Sequence, residues 1–183
     1  MSDYHSELCR AMALLGERPQ TIILGQGVAD HGGTSMSSTF RDVPARKRLE
    51  MPVAEELQAG MALGMALEGL LPICIFPRWN FMLRAADQII NHLDRLPIYS
   101  GGGYKPKVLI RVAVPSSRPF NPQSQHDDDF TVAFGLMCRT INVIQLTEAH
   151  EIVPAWLKAA DSDRSTILVE FTDRYRNARA ATT

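Results

Sequence analysis

The chain has 183 residues, of which 45% are hydrophobic and 21% charged, with a formal net charge of −1. That is chain enough for one domain with its own core, and too apolar a composition for a disordered protein. The balanced charge offers nothing to draw nucleic acid or an anionic membrane, and no apolar run reaches the roughly 20 residues of a bilayer span. The N-terminal stretch interleaves Asp3, His5, Glu7 and Arg10 with its apolar positions, unlike the basic-then-apolar layout of a secretory leader. Leu8, Ala11, Met12 and Leu15 keep helical spacing, with Gly16 as the stop. Thr21 to Leu24 is a short β-rich run ending at Gly25, the pattern of a buried strand. From Gln26 to Lys47 there is no sustained period, and a loop of that length inside a domain is usually functional.

From Val53 to Leu67 the period is helical, and after Gln58 every residue is apolar or small. A helix without a polar face is expected to be buried all round. Gly60 and Gly64 each weaken it by about 1 kcal/mol relative to Ala, a cost that close approach of another backbone would offset. Pro72–Phe76 reads as the next strand, and Met82 through Leu96 as one amphipathic helix. Val108–Val114 is the most marked strand, followed by strands at Ile141–Leu146 and Thr166–Phe171. The helix between these two, from about Thr147, contains Pro154, which is expected to kink it or shift its start. Cys9, Cys74 and Cys138 are widely spaced without a Cys-x-x-Cys pair and read as reduced thiols of a cytoplasmic protein. Strands alternating with helices imply a single three-layer α/β domain over residues 1–183, a mostly parallel twisted sheet with helices on both faces. In such sheets ligands bind beyond the carboxyl ends of the strands, here after Leu24, Ile75 and Val114 and at the start of the glycine-bearing helix.

Four segments in those places carry a resemblance. They are Leu24-Gly25-Gln26-Gly27-Val28 with Gly32-Gly33; Pro52-Val53-Ala54-Glu55-Glu56 running into Ala59–Ala66; Arg84–Ile89 with its Asp87-Gln88 pair; and Tyr99–Gly102 followed by Ile110-Arg111. In this order they resemble the pyrimidine-binding domain shared by transketolase-like enzymes and the beta subunits of 2-oxoacid dehydrogenases. The resemblance implies thiamine diphosphate as cofactor and a 2-oxo acid or ketose as substrate. The implied reaction is decarboxylation or carbanion transfer by a decarboxylase, carboligase or transketolase-like transferase. It also implies that Glu55 hydrogen-bonds the aminopyrimidine ring nitrogen and favours the imino tautomer through which the thiazolium proton is lost. Read alone, Glu55 is equally a favourable anion in the first turn of a helix. Gln26, Gly27 and Val53 are the other cofactor-binding candidates of the matching segments.

The departures are specific. The position that the family fills with an aromatic ring beside the pyrimidine falls on Arg78, flanked by Trp79 and Phe81. Those rings either stack on the cofactor or pack in the core, and an arginine plane can also stack. A family histidine after the Ile110-Arg111 strand aligns with Asn121. His126 either takes over its proton transfer or lies exposed beside Asp127, Asp128 and Asp129, where a metal is a weaker alternative. His31, in the glycine-containing loop, is a further catalytic candidate. The Gly-Asp-Gly and Asn-Asn strings that hold the diphosphate and its Mg²⁺ do not occur here. The C-terminal domain usual in the family is not expected either. The chain is therefore expected to work with a separate alpha-type subunit supplying the Mg²⁺–diphosphate site, as a homodimer core within a heterotetramer. Gly60 and Gly64 face either a second subunit or the chain's own sheet. The other class of function is a non-catalytic regulatory or interaction protein that keeps the fold.

Overall fold

A helix, α1 (Tyr4–Gly16), precedes the first strand, β1 (Thr21–Gly25), in the computed structural model, which describes residues 3–29, 34–115 and 123–178. Next come β2 (Arg48–Glu50), α2 (Glu55–Leu67) and β3 (Leu71–Phe76). Two short helices, α3 (Trp79–Met82) and α4 (Leu96–Tyr99), then lead to β4 (Leu109–Val114). The remainder is α5 (Thr131–Met137), β5 (Asn142–Gln145), α6 (Ala149–Asp161) and β6 (Thr166–Phe171). The strands of the described residues form one six-stranded sheet in the order β2-β1-β3-β4-β6-β5, parallel at every pairing. Alternation along β4 sends Leu109 and Ala113 to one face, where α1 and α6 cover them, and Ile110 and Val112 to the other, where α2, α3 and α5 lie. This is the expected single three-layer α/β domain.

Several expectations are corrected. The expected loop from Gln26 to Lys47 contains 3-10 turns at Ser37–Phe40 and Ala45–Lys47, and the strand β2 follows it directly. The amphipathic segment from Met82 to Leu96 is not one regular helix. It passes from α3 through a 3-10 turn at Leu83–Ala85 into a π-helical stretch at Gln88–Leu93. Its apolar residues still face the core, because Met82, Ala85, Ile89 and Leu93 are buried. Helix α6 runs on past Pro154 to Asp161, with a reciprocal Glu148–Glu151 capping box at its start.

The largest correction concerns α2. Only Glu55, Gln58, Ala59 and Ala62 are buried, while Leu57 is 51% and Leu67 45% exposed. One stripe packs on the sheet, where Gln58 Nε2 donates to the Ile75 carbonyl at 2.8 Å, and the opposite apolar stripe is uncovered. A Cβ on Gly64 would meet nothing within 4 Å, so that glycine does not accommodate the chain's own sheet. Gly60 approaches Gln88, whose Oε1 would lie 3.5 Å from an added Cβ.

All three cysteines are free thiols. Burial pushes Cys74 up to about 12 and Cys138 to about 11, which keeps both protonated and unreactive. No helix of the described residues is long and apolar enough to cross a membrane.

Candidate active site

The sheet order reverses between β1 and β3: the chain leaves β1 towards β2 on one side, and leaves β3 towards β4 on the other. The crevice beyond the carboxyl ends of two such strands is the natural ligand site of a doubly wound sheet. Three segments converge there: Gln26–Ala29 after β1, Pro77-Arg78 after β3, and the N-terminus of α2 after β2. Glu55 is the first residue of α2. Its predecessor Ala54 has no side chain to cap the helix, so the orphan amides of the first turn favour an anion at this end.

The Glu55 side chain is only 4% exposed. Gln26 Nε2 donates to its Oε1 at 3.3 Å. Its Oε2 is buried without a hydrogen bond, and Arg84 Nε stands 3.5 Å away on a side chain that is 78% exposed. Buried polar atoms are nearly always hydrogen-bonded, so the open Oε2 is a place for a ligand's donor. Glu55 lines a cleft of about 660 Å³ between α2 and the segment after α3, together with Val53, Glu56, Gly60, Arg84 and Gln88. A buried carboxyl with one oxygen left without a hydrogen bond fits the aminopyrimidine end of thiamine diphosphate, where a single proton can be shared with a ring nitrogen.

The other expected residues separate into groups. Val53 lies at the cleft mouth, 81% exposed. Gly27 follows Gln26 with φ +68°, the left-handed backbone that glycine adopts without strain. Trp79 takes the core-packing alternative: it is fully buried, its ring centroid 5.1 Å from that of Phe134. Phe81 is the partly exposed ring of the two, and His126 meets it edge-on at 5.1 Å. Arg78 Nη1 donates to the His126 carbonyl at 3.3 Å, and Asn80 Nδ2 to Asp128 at 2.7 Å. The loop of His126 is thus folded onto the start of α3, and His126 Nδ1 is buried without a hydrogen bond. Asp129 is tied to Thr131, and among the described residues no His, Cys, Asp and Glu cluster is placed to hold a metal. His31 and Asn121 lie outside the described residues.

Arg84 and Gln88 are cleft residues to which sequence reasoning assigns no role. A signal was present, since both belong to the Asp87-Gln88 segment and their i, i+4 spacing puts them on one helical face.

The fold and the crevice define a doubly wound α/β domain with a buried carboxylate beside a cleft at its switch point. Residues 5–100 match the family described as "Transketolase, pyrimidine binding domain", and the chain belongs to that family. It is 31% identical over 157 residues to the mitochondrial pyruvate dehydrogenase E1 component subunit beta of Chaetomium thermophilum, covering 85% of this chain and 40% of that protein. The human subunit of the same name is 29% identical over 156 residues, covering 84% of this chain and 42% of that protein. The chain thus spans less than half the length of these relatives. Among solved structures, a split gene transketolase, an inactive beta4 tetramer, superposes with a TM-score of 0.71 at 20% identity, over 93% of this chain and 51% of that one. Transketolase from Leishmania mexicana gives 0.72 at 17% identity, over 94% and 26%. Likeness at that identity concerns the fold.

Proposed function

We propose that this chain is the pyrimidine-holding subunit of a thiamine-diphosphate enzyme that decarboxylates a 2-oxo acid or transfers a ketol or acyl carbanion. In this reading it works with a separate subunit that holds the diphosphate and Mg²⁺. The observation that carries the reading is Glu55, a buried carboxylate at the switch point with one oxygen held by Gln26 and the other ion-paired to Arg84 at 3.5 Å without a hydrogen bond. Family membership supports the cofactor, and the beta-subunit relatives support a partner. A split gene transketolase of the same fold is itself an inactive beta4 tetramer, which is in keeping with a chain that needs a partner.

When bound, thiamine diphosphate supplies the carbanion chemistry. Glu55 holds the aminopyrimidine ring nitrogen and shares a proton with it. Gln26 orients the carboxyl from the other side, while Gly27 and Val53 border the ring. Phe81 is the stacking candidate, and Arg78 and His126 face the substrate side. The burial of Glu55 keeps water from competing for that proton.

The test is exchange of the thiazolium proton for deuterium in the reconstituted complex. Glu55→Gln is expected to fold normally and to slow exchange at least about 100-fold, the usual range for a positioned acid–base group. Glu56→Gln, on the exposed side of the first turn, stays near the wild-type rate. Wild-type exchange in Glu55→Gln removes Glu55 from the mechanism.

A further inference from the structure

The loop that carries Gln26 is gripped from outside the cleft by β2, an edge strand of three residues that adds little to the core. Arg48 and Glu50, two positions apart, share one side of that strand. Glu50 accepts three successive backbone amides: Gly27 N at 2.6 Å on Oε1, then Val28 N and Ala29 N, each at 2.8 Å, on Oε2. Successive amides converging on one anion form a nest, and the left-handed Gly27 lets this one close. Arg48 Nη1 donates to the carbonyls of the same residues, Val28 at 3.3 Å and Ala29 at 3.1 Å. Ser37 Oγ donates to the Gly27 carbonyl. The backbone immediately after Gln26 is therefore fixed on both its donor and acceptor sides.

Resting on the reading of Glu55 above, we propose that Glu50 is a positioning residue that acts through Gln26. By clamping Gly27, Val28 and Ala29 it fixes where the Gln26 amide meets Glu55 Oε1, and so leaves Oε2 as the oxygen for the cofactor. Hydrogen bonds to a carboxylate are the stronger class, and three of them hold this loop. Among the described residues, the two oxygens of Glu50 turn inward from an exposed edge strand onto these three backbone amides.

Nuclear magnetic resonance of the chain itself tests the clamp without any cofactor. In Glu50→Gln the amides of Gly27, Val28 and Ala29 are expected to exchange with solvent about tenfold faster or more, as charge-assisted bonds are lost. The Gln26 side-chain amide protons move to the positions they take in Glu55→Ala, while amides of β3 and β4 keep their protection. Glu50→Asp, which retains the charge on a shorter arm, gives an intermediate shift and guards against a folding defect in the first variant. Gln26 resonances unchanged in both folded variants would overturn the proposal. In the reconstituted complex Glu50→Gln lowers kcat about tenfold with little change in the cofactor's KM, in line with the cost of small misplacements. Adding it to Gln26→Ala costs nothing more; additive losses would equally overturn the clamp. A wild-type complex inactive with thiamine diphosphate sinks the functional reading instead, and the resonance measurements then decide the clamp alone.

Discussion

Asp94 touches none of the cleft yet organises the opposite end of the domain. Fully buried, it accepts the backbone amides of Arg139 at 2.9 Å, Thr140 at 2.7 Å and Ile141 at 3.0 Å, and pairs with Arg95 at 2.8 Å. Burial pushes its carboxyl up, but the amides of Thr140, Arg139 and Ile141 outweigh that and hold it below its ordinary 3.8. A depressed carboxylate contributes stability that is complete above the unfolded-state value and is lost as pH falls through the folded-state value. Asp94→Asn is therefore expected to destabilise the chain by about 2–3 kcal/mol at neutral pH and by less at acid pH, once the folded-state carboxyl protonates. Urea unfolding at the two pH values checks it, and a gap that ignores pH refutes it. A second buried charge behaves differently. Arg111 on β4 reaches Glu170 at 2.9 Å and Thr39 at 2.8 Å, on the face away from the cleft. Burial works against its charge, yet Glu170 and Tyr175 more than restore it, leaving Arg111 above its ordinary value. Arg111→Met strands Glu170 and is expected to cost about 3–5 kcal/mol, whereas Arg111→Met with Glu170→Leu recovers most of it. Denaturant titration of the single and double variants measures this; a double variant as weak as the single one refutes the account.

Among the elements, α2 is the one whose sequence and surroundings disagree. A Cβ at Gly64 meets nothing in this chain, so Gly64→Ala removes only a helix penalty and is expected to stabilise the isolated chain by about 1 kcal/mol. If another backbone packs there in the assembly, the same methyl weakens association, so melting temperature and affinity move in opposite directions. Sedimentation of the variant with its partner reads the second effect, and unchanged association rules out Gly64 as a contact. The four inner strands were legible because each is a short, mostly apolar, β-branched run: β6 falls on its expected residues, β1 and β3 are each longer by one residue, and β4 is shorter by one. The strand β2 was not, since Arg-Leu-Glu has no strand pattern and owes its conformation to pairing with β1. The helix α5 was missed for want of length, and the π-helical stretch because apolar spacing does not report which carbonyl each amide chooses. Glu55 was legible as an acid before a small-residue helix. Glu50 and Asp94 carried no signal, because an acidic side chain that binds distant backbone leaves no local pattern.

At the scale of the molecule, the uncovered stripe of α2, with Val53 81% and Leu57 51% exposed, continues the cleft onto the surface. Exposed apolar surface beside a cleft often marks a place where another protein packs. On the function proposed above, two copies of this chain with two of a diphosphate-binding partner would cover it. Light scattering of the chain alone and with its partner tests the stoichiometry, and a stable monomer that turns over substrate unaided refutes it. The parallel sheet carries a further consequence, for how the chain reaches this state. Among the described residues no strand pair is a hairpin; even Asn142 and Thr166, partners in the ladder, are separated in sequence by the whole of α6. Each pairing must close a long loop before it is rewarded, so helices can form early but the sheet has no local nucleus. Folding is therefore dominated by contacts of high sequence separation. During that search the apolar strands β3 and β4 stand unpaired, so this is the stage at which the chain is most open to aggregation.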